Sequence, residues 1–401
     1  MEAVTRLAER AQRSGKQVFG AGWRSTRMAV APGRVELIGN HTDYNGGPVL
    51  CAAIDRWIVV LADAEASSST VRVIGADVSA VESRPIQSDD SRDWRSSSAT
   101  HDVADYVQGA VAAILGRADL TLRTGTRMAI AGNVPLGFGV SSSAALCVAS
   151  VLTLSEERPF PRDLVLLAQE AEHRAGTPCG RMDQSASVHG GVIRFDGRTT
   201  ESAQRHPDLG DLVFAVMDSG VARALSDSAY PTRVREAEMA RAAAEQVLGR
   251  PLDVLADISP QDLPLIEDAP TVDPRLVARI RHVVTECDRV DRADAAMQIG
   301  DWETFGALMD ASGRSSAVDY AISHPRVEQL VAEARAVPGV LGARMMGGGE
   351  GGAAICLVRQ DAVPALESAL DAGYFREHGI AGKAGLVQPC TFSAGASLRE
   401  I

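Results

Sequence analysis

The segment NVPLGFGVSSSAALCVASVL, at residues 133–152, limits the possible folds of this chain more than any other segment. A strand-like approach leads into Gly137 and Gly139, then into three serines at 141–143 and an apolar run with helical spacing. At such a junction the backbone amides and the positive end of the helix dipole point at the same place, which suits a phosphate group. The segment therefore predicts a phosphate-binding loop, and the alternative is a serine cap that follows a glycine turn.

A second glycine-rich loop lies in MMGGGEGGAAICLV, at residues 345–358, with five glycines among six consecutive positions. Each glycine costs folding entropy, so this tract indicates that the backbone approaches a ligand closely, although a tight turn between strands is the alternative. The chain contains only two lysines, Lys16 and Lys383, and neither lies in a glycine-rich loop. A phosphate loop of the G-x-x-x-x-G-K-[ST] type is therefore excluded, and the two loops indicate nucleotide binding by another route.

The composition is that of a globular protein with two domains. Its 401 residues exceed one ordinary core, and we place the domains at residues 1–215 and 216–401. A net charge of −12, without a cluster of basic residues, argues against nucleic acid as a partner. No apolar run approaches the ~20 residues that span a bilayer, and the polar N-terminal segment is unlike a signal peptide, so we expect a cytoplasmic protein without a membrane partner. The six cysteines are scattered and predict reduced thiols.

The two halves of the chain differ in their secondary-structure pattern. Short β-like segments dominate the first half, at residues 27–31, 35–39, 49–54, 57–64 and 70–76. The periodicity predicts helices at residues 103–116, 143–154 and 161–175, and a hairpin at 121–134. After an apolar strand at 212–220 the pattern is mainly helical, with further strands near residues 343–346, 353–359 and 383–390. The chain is therefore predicted to be an α+β protein.

The segment GTPCGRMDQSASVHGG, at residues 176–191, places Asp183 in a glycine-bounded and rather apolar context. An aspartate in such a setting can act as the general base for a hydroxyl nucleophile. A helix cap is an equally good interpretation of this residue by itself. The segment alone leaves both open.

Three segments occur in a fixed order along the chain: GRVELIGNHTDYNGG, PLGFGVSSSAAL and ARMMGGGEGG. Together they resemble the three signature motifs of the GHMP kinases, and the first resembles the galactokinases in particular. Further galactokinase-like pieces lie at residues 104–111, 179–184, 224–238, 279–286 and 386–396, so the resemblance covers nearly the whole chain. It implies an N-terminal ribosomal-protein-S5-like domain and a C-terminal ferredoxin-like domain. It also implies transfer of the γ-phosphoryl group of ATP, with Mg²⁺, to the anomeric hydroxyl of a hexose.

The resemblance further implies roles for individual residues. Asp183 is implied to be the catalytic base and Arg34 its partner, which stabilises the transferred charge. The implied substrate-binding residues are Arg34, Asn40, His41, Asp43, Asp183 and Tyr230. The implied ATP-binding residues are Gly137, Gly139, Ser141, Ser142, Ser143 and Ala144, with Gly347, Gly348 and Gly349 in the third-motif loop. The implied Mg²⁺ ligands are Ser142 or Ser143, together with Glu172, for which Glu170 is the rival.

Three positions depart from the pattern of the resemblance. Asn40 stands where galactokinases usually have a sugar-binding glutamate, Glu36 where they usually have asparagine, and Glu350 where they usually have phenylalanine. An amide can still hold a hydroxyl, so galactose is the expected substrate, and another sugar or a sugar-like cyclitol is the alternative. A catalytically silent sugar sensor is a second alternative, against which the intact catalytic pair argues. Trp94 is a candidate contact for adenine, with a surface aromatic in a mobile loop as an equal alternative, and a monomer is expected.

Overall fold

The computed structural model describes residues 2–65, 68–77, 84–86, 92–97, 102–135, 137–222 and 230–401. Its strands are β1 (Arg27–Ile38), β2 (Pro48–Ala64), β3 (Val71–Gly75), β4 (Arg84–Ile86), β5 (Thr126–Gly132), β6 (Val192–Asp196), β7 (Ser202–Arg205), β8 (Leu212–Val221), β9 (Val340–Met345), β10 (Gly352–Arg359), β11 (Val387–Cys390) and β12 (Ser397–Glu400). Its helices are α1 (Glu2–Phe19), α2 (Val103–Leu115), α3 (Ser142–Leu154), α4 (Pro161–Arg174), α5 (Met182–His189), α6 (Tyr230–Leu248), α7 (Leu263–Glu267), α8 (Pro274–Gln298), α9 (Trp302–Val318), α10 (Pro325–Arg335) and α11 (Val363–Leu370). The strands form two sheets.

The first sheet has the strand order β12-β1-β2-β5-β3-β4, with β6 paired to β2 and β7 paired to β6. The long strand β2 allows this branching, because its first half pairs with β6 and its second half with β5. Strand β3 runs parallel to β5, whereas β1 and β2 are antiparallel. The backbone amide of Arg34, on β1, donates to the carbonyl of Val140 over 3.1 Å. This bond fastens the first sequence motif to the second.

Helices cover both faces of the first sheet because successive side chains of a strand point to opposite faces. On β2, Val59 and Leu61 pack with residues of α1. Val60 and Ala62 point the other way and belong to the large core beneath α2, α3 and α4. The apolar residues of β2 therefore serve two cores at once.

The second sheet is antiparallel, in the order β11-β8-β10-β9. Strand β8 alternates as β2 does, since Val213 and Met217 face the C-terminal core while Phe214 and Val216 face the core that is shared with the first sheet. Helix α9 packs on β9, and α10 packs on β8, β9 and β10. The core thus continues from one sheet to the other, which brings the loop after β9 next to β1 and α3.

The α+β class predicted from the sequence is confirmed, with several local differences. The four predicted strand segments between residues 27 and 64 are two long strands, β1 and β2. The predicted hairpin at 121–134 is wrong: β5 forms there and pairs with β2 and β3, which lie far away in the sequence. The pattern also does not predict α9 or β12.

The change from the first sheet to the second occurs at Leu212, where β8 begins, close to the domain boundary predicted at residue 215. The chain then returns, because β12 pairs with β1 in the first sheet. Part of the galactokinase-like piece at 224–238, residues 224–229, lies outside the described residues. Of the helices that the structure describes, none has the length and apolar character needed to cross a membrane.

Candidate active site

A cavity of about 590 Å³ lies where β1, the start of α3, the start of α5 and the loop after β9 meet. One portion of its wall, called here the charged part, consists of Arg34, Glu36, Asp43, Glu172 and Asp183. Another portion, the apolar part, consists of Ile58, Val103, Tyr106, Ile130, Val134 and Leu146. The predicted site residues that also line the cavity are His41, Gly137, Gly139, Ser141, Ser142, Ser143, Tyr230, Gly347 and Gly348. All three sequence motifs therefore meet at one site.

Asp183 lies in the first turn of α5, where the amides of the helix start favour a negative charge. Arg34 Nε and Nη2 donate to Asp183 Oδ1 over 2.8 and 2.6 Å. Arg34 Nη1 also donates to the carbonyl of Gly139, so the guanidinium joins the carboxylate to the glycine-serine loop. Burial opposes the charge of Arg34, but the nearby Asp183 outweighs it and raises the pKa of Arg34. The pair that the sequence predicts is thus an ion pair at the cavity wall, between a buried guanidinium and a partly exposed carboxylate.

Ser141 directs its hydroxyl to the same carboxylate. Its Oγ donates to Asp183 Oδ2 over 2.5 Å, so both carboxylate oxygens are held. Its backbone is left-handed, with φ 59° and ψ 52°, a conformation that strains a residue other than glycine and that is concentrated at functional sites. Ser141 precedes α3 but makes no side-chain cap to it, so the alternative of an ordinary serine cap does not apply.

Glu172, on α4, brings another carboxylate to the charged part. It is 1% exposed and accepts from Gln184 Nε2 and from the hydroxyl of Ser143. Burial, and then the negative charge of Asp183, raise the pKa of Glu172 to about 7. The rival Glu170 accepts instead from Arg174 Nε over 2.7 Å, and its side chain is 40% exposed. Of these two glutamates, Glu172 is the one that lines the cavity.

Asp43 lies in the turn after β1 and contacts the segment that precedes α5. The backbone amides of Tyr44 and Met182 donate to its carboxylate. A Cβ added to Gly180 would lie 1.6 Å from Asp43 Oδ2, so this glycine leaves the space that the carboxylate occupies. Burial, and then the charge of Asp183, raise the pKa of Asp43 to about 6. The cavity therefore holds two carboxyl groups that change charge near neutral pH.

An aromatic cluster supports the turn that carries Asp43. The ring of His41 lies 5.4 Å from that of Tyr230 and 5.2 Å from that of Tyr320. The hydroxyl of Tyr44 forms hydrogen bonds with His41 Nδ1 over 2.9 Å and with the hydroxyl of Tyr320 over 2.8 Å. His41 and Tyr230 line the cavity, so the cluster forms part of the wall as well as its support.

Asn40 is fully buried, and the structure does not place it among the described residues that line the cavity. Its Nδ2 donates to Glu36 Oε1 over 2.9 Å and to the carbonyl of Gly347 over 2.8 Å. Its Oδ1 accepts from Ser316 Oγ over 3.1 Å. Glu36, one of the three departures from the usual galactokinase pattern, lines the cavity instead. The sequence could have indicated this, because alternate side chains of a strand point to the same face, and Glu36 is two residues after Arg34 on β1.

One part of the third-motif loop lines the cavity, and another part packs against neighbouring backbone. Gly349 is not among the cavity-lining residues that the structure describes, and a Cβ there would lie 2.1 Å from the carbonyl oxygen of Ile322. Glu350 is exposed, has φ 60°, and its amide donates to the same carbonyl over 2.7 Å. Ala144 is likewise buried away from the described wall. The glycine tract therefore serves close packing against Ile322 as well as approach to the cavity.

The apolar part of the wall has no specific signal in the sequence. Its residues come from β2, α2, β5, α3 and the segment after β5, and they pack within the large core. In the sequence they carry only a hydrophobic signal, which ordinary core residues share. Trp94, the candidate adenine contact, is not one of the described residues of this wall, and its carbonyl accepts from Arg174 Nη1 over 3.4 Å.

Comparison with known sequences finds three matching regions. Residues 16–64 match the galactokinase galactose-binding signature, residues 105–191 the GHMP kinase N-terminal domain, and residues 293–376 the GHMP kinase C-terminal domain. A galactokinase from Homo sapiens is 37% identical over 371 residues, which cover 90% of each chain. A galactokinase from Chloroflexus aurantiacus is 36% identical over 387 residues, which cover 94% of each chain.

Comparison with solved structures agrees with these sequence matches. The crystal structure of Lactococcus lactis galactokinase complexed with galactose has a TM-score of 0.85 and 28% identity, and the match covers 97% of this chain and 98% of that one. The structure of L. major mevalonate kinase in complex with R-mevalonate has a TM-score of 0.61 at 18% identity, covering 94% and 97% of the two chains, which shows a shared fold.

Proposed function

Because this chain belongs to the galactokinase family and is therefore a sugar kinase, we propose that it transfers the γ-phosphoryl group of ATP to the anomeric hydroxyl of galactose. The observation that supports this most directly is the placement of Asp183. Arg34 and Ser141 hold its two carboxylate oxygens at the wall of a cavity that the glycine-serine loop also lines. A base, a cation and a phosphate-binding loop are the parts that such a reaction needs.

In the proposed reaction Asp183 accepts the proton of the anomeric hydroxyl. As the O–H bond breaks, the sugar oxygen forms a bond to the γ-phosphorus, and the bond from that phosphorus to the bridging oxygen of ATP breaks to leave ADP. Phosphoryl transfer asks the protein mainly for positioning and for neutralisation of charge. Arg34 supplies a buried positive charge beside the reacting groups, and the start of α3 supplies the positive end of a helix dipole.

The charged part also fits a bound Mg²⁺. Glu172 and the hydroxyls of Ser142 and Ser143 are hard oxygen donors of the kind that this ion prefers. The raised pKa of Glu172 fits a carboxylate whose charge a cation would neutralise. Among the described residues there is no cluster of three or more His, Cys, Asp or Glu that could hold a metal ion, so phosphate oxygens and water would complete the coordination. A bound Mg²⁺ would neutralise charge on the phosphates.

The two parts of the wall divide the remaining ligand groups between them. The sugar is proposed to lie against Asp43, His41 and Tyr230, where a carboxylate can accept from hydroxyls and aromatic edges can pack on the ring. The nucleobase is proposed to lie against the apolar part, which buries the flat face of a base without requiring a charge. This arrangement places the triphosphate along the glycine-serine loop between them.

The same proposal places the protein in the cytoplasm as a monomer. All six cysteines are free, which is usual in a reducing compartment.

A substrate panel tests the proposed function. Galactose, other hexoses and cyclitols are each incubated with Mg·ATP while ADP release is followed, and the phosphorylated position is assigned by NMR. We expect galactose to give the highest kcat/KM and a 1-phosphate product. A preference for another sugar or a cyclitol would correct the substrate, whereas tight sugar binding without ADP release would replace the kinase with a sensor.

A further inference from the structure

Glu36 is a buried carboxylate at the cavity wall for which the proposed reaction has no role. Its side chain is 2% exposed, yet the residue lines the cavity. On β1, Arg34 pairs with Ala53 and Glu36 with Cys51, without a register break between them. Their side chains therefore share one face of the strand. Arg34 reaches Asp183 from that face, so Glu36 projects toward the same cavity.

One amide donor and one buried cation hold the Glu36 carboxylate. Asn40 Nδ2 lies 2.9 Å from Oε1 and 3.1 Å from Oε2, and Arg344 Nη2 lies 2.9 Å from Oε1. Arg344 is fully buried, so this ion pair neutralises a charge inside the protein. An ionised carboxylate offers about four acceptor positions, and these contacts concentrate on Oε1. Oε2 keeps capacity for a hydroxyl donor.

Asn40 has far less capacity to form a further hydrogen bond. Both N–H groups of its amide are used inside the protein, one toward Glu36 and the other toward the carbonyl of Gly347. Its oxygen accepts from Ser316. Asn40 is also fully buried and is not among the described residues that line the cavity, so its amide serves to orient the neighbouring carboxylate.

We infer that Glu36 is a specificity-determining residue of the sugar site: its carboxylate accepts a hydrogen bond from one hydroxyl of the bound sugar, and Asn40 positions it. This inference rests on the proposed function. The glutamate and the amide have exchanged positions 36 and 40 relative to the usual galactokinase pattern. In this chain they bond to each other, and the carboxylate pairs with Arg344. The exchange therefore keeps an acidic acceptor in the site.

The test combines Glu36→Gln with galactose analogues that each lack one hydroxyl. Glutamine keeps the shape of the side chain and removes the charge. We expect kcat/KM for galactose to fall roughly 10- to 100-fold, as for a lost hydrogen bond to a charged group, while the KM for ATP stays within twofold. For each analogue the loss is the ratio of kcat/KM for galactose to kcat/KM for the analogue. In the unaltered enzyme one deoxy analogue should show the largest loss, and in Glu36→Gln the loss for that analogue should be at least tenfold smaller.

Glu286→Gln is the matched control. Glu286 is another fully buried carboxylate of the same region, which accepts from the amides of Gly39 and Asn40 over 3.0 and 3.1 Å, and it is not one of the described residues that line the cavity. We expect this substitution to change kcat/KM for all the analogues by one common factor. If Glu36→Gln also changes them all by one factor, Glu36 is purely structural and the inference is wrong.

A double substitution covers the case in which a single variant does not fold. Asn40→Glu alone places a second carboxylate beside Glu36, and Glu36→Asn alone leaves the buried charge of Arg344 unbalanced. Combining the two restores one carboxylate, one amide and the ion pair. We expect the double variant to exceed either single variant at least tenfold in kcat/KM, and a double variant no better than the worse single one would overturn the pairing.

Failure of the proposed function gives a different result. If the unaltered protein prefers another sugar, the deoxy analogues of that sugar replace those of galactose. The losses of kcat/KM for those analogues then test the role of Glu36 in the same way. If no sugar is phosphorylated, the same comparison is made with sugar dissociation constants from calorimetry. Equal penalties in Glu36→Gln and Glu286→Gln contradict the inference in either case.

Discussion

The charged and the apolar parts of the cavity wall are held in place by different forces. In the charged part, side chains are fixed by directed bonds, as when Arg34 and Ser141 each donate to one oxygen of Asp183. In the apolar part, side chains such as Val134 and Leu146 are fixed by packing within the core. A directed bond weakens steeply when an atom moves by half an ångström, whereas packing adjusts to small changes in volume. We therefore expect steep losses of activity in the charged part and mild losses of nucleotide affinity in the apolar part.

The largest effect expected from the charged part is that of Asp183→Asn. The amide keeps the shape of the side chain but cannot accept the proton of the sugar hydroxyl, so kcat should fall about 10³-fold. ATP affinity, measured by calorimetry, should change by less than threefold. Full activity in this variant would remove Asp183 as the base, and a large loss of ATP affinity would show that it holds the nucleotide.

Gly180→Ala should have the next largest effect, because the new methyl group and Asp43 Oδ2 compete for the same space. We expect kcat/KM for the sugar to fall about 100-fold through displacement of the Asp43 carboxylate, with the KM for ATP unchanged. Gly22→Ala is the control, since a Cβ at that position meets nothing within 4 Å. Equal behaviour of the two variants would mean that Asp43 moves aside without consequence.

The Mg²⁺ requirement should depend on pH through Glu172. Because its pKa is raised to about 7, the carboxyl holds a proton below that pH, and Mg²⁺ must displace it. The Mg²⁺ concentration for half-maximal rate should therefore rise as the pH falls below 7, by up to tenfold per pH unit. Glu170→Gln should leave this profile unchanged, and a requirement that stays flat between pH 6 and 8 would exclude Glu172 as a ligand.

Sugar affinity should depend on pH in a lower range, through Asp43. Its pKa is raised to about 6, so the carboxylate becomes protonated and loses its acceptor character as the pH falls through 6. The KM for galactose should rise several-fold between pH 6.5 and 5.5, measured at saturating Mg²⁺, while the KM for ATP stays constant. A constant KM for galactose over this interval would separate Asp43 from the sugar.

Val134→Ala should have the smallest effect, and it tests the apolar part of the cavity wall. Removing two methyl groups at a site that is 6% exposed should lower the free energy of unfolding by about 1–2 kcal/mol. The KM for ATP should rise by a factor of two to five, and the KM for galactose should not change. A loss as steep as that of Gly180→Ala would show that the two parts of the wall are not held differently.

The same contrast explains how much of the site the sequence could predict. Directed chemistry needs particular residue types, and Arg34, Asp183 and the serines of the second motif are recognisable because few other uses explain them together. The structure brings these residues to one cavity. Residues of the apolar part, such as Ile130, have the same sequence signal as any core residue, so only the three-dimensional arrangement separates them.

The relation between Glu36 and Asn40 could be predicted only in part. Taken one position at a time, Glu36 and Asn40 are two separate departures from the galactokinase pattern. Position 40 is the one at which a sugar-binding glutamate is usual, so Asn40 is the expected sugar contact. The alternation of side chains along β1 points instead to Glu36. The amide-carboxylate bond joins residues four apart in the chain, but the partner Arg344 lies on β9, some three hundred residues away. The mistaken hairpin at 121–134 has a similar cause, since the partners of β5 are distant in the sequence.

Strand β12 has a consequence for the order in which the protein is completed. It pairs with the start of β1, and Arg27 donates to Glu400 across this pairing. Because β1 is synthesised before β12, the edge that β12 covers stays open until β12 has been made. An uncovered strand edge is a template for pairing with other chains. Until β12 pairs with residues 27–30, the start of β1 offers such an edge, so the C-terminal strand protects the beginning of the strand that carries Arg34.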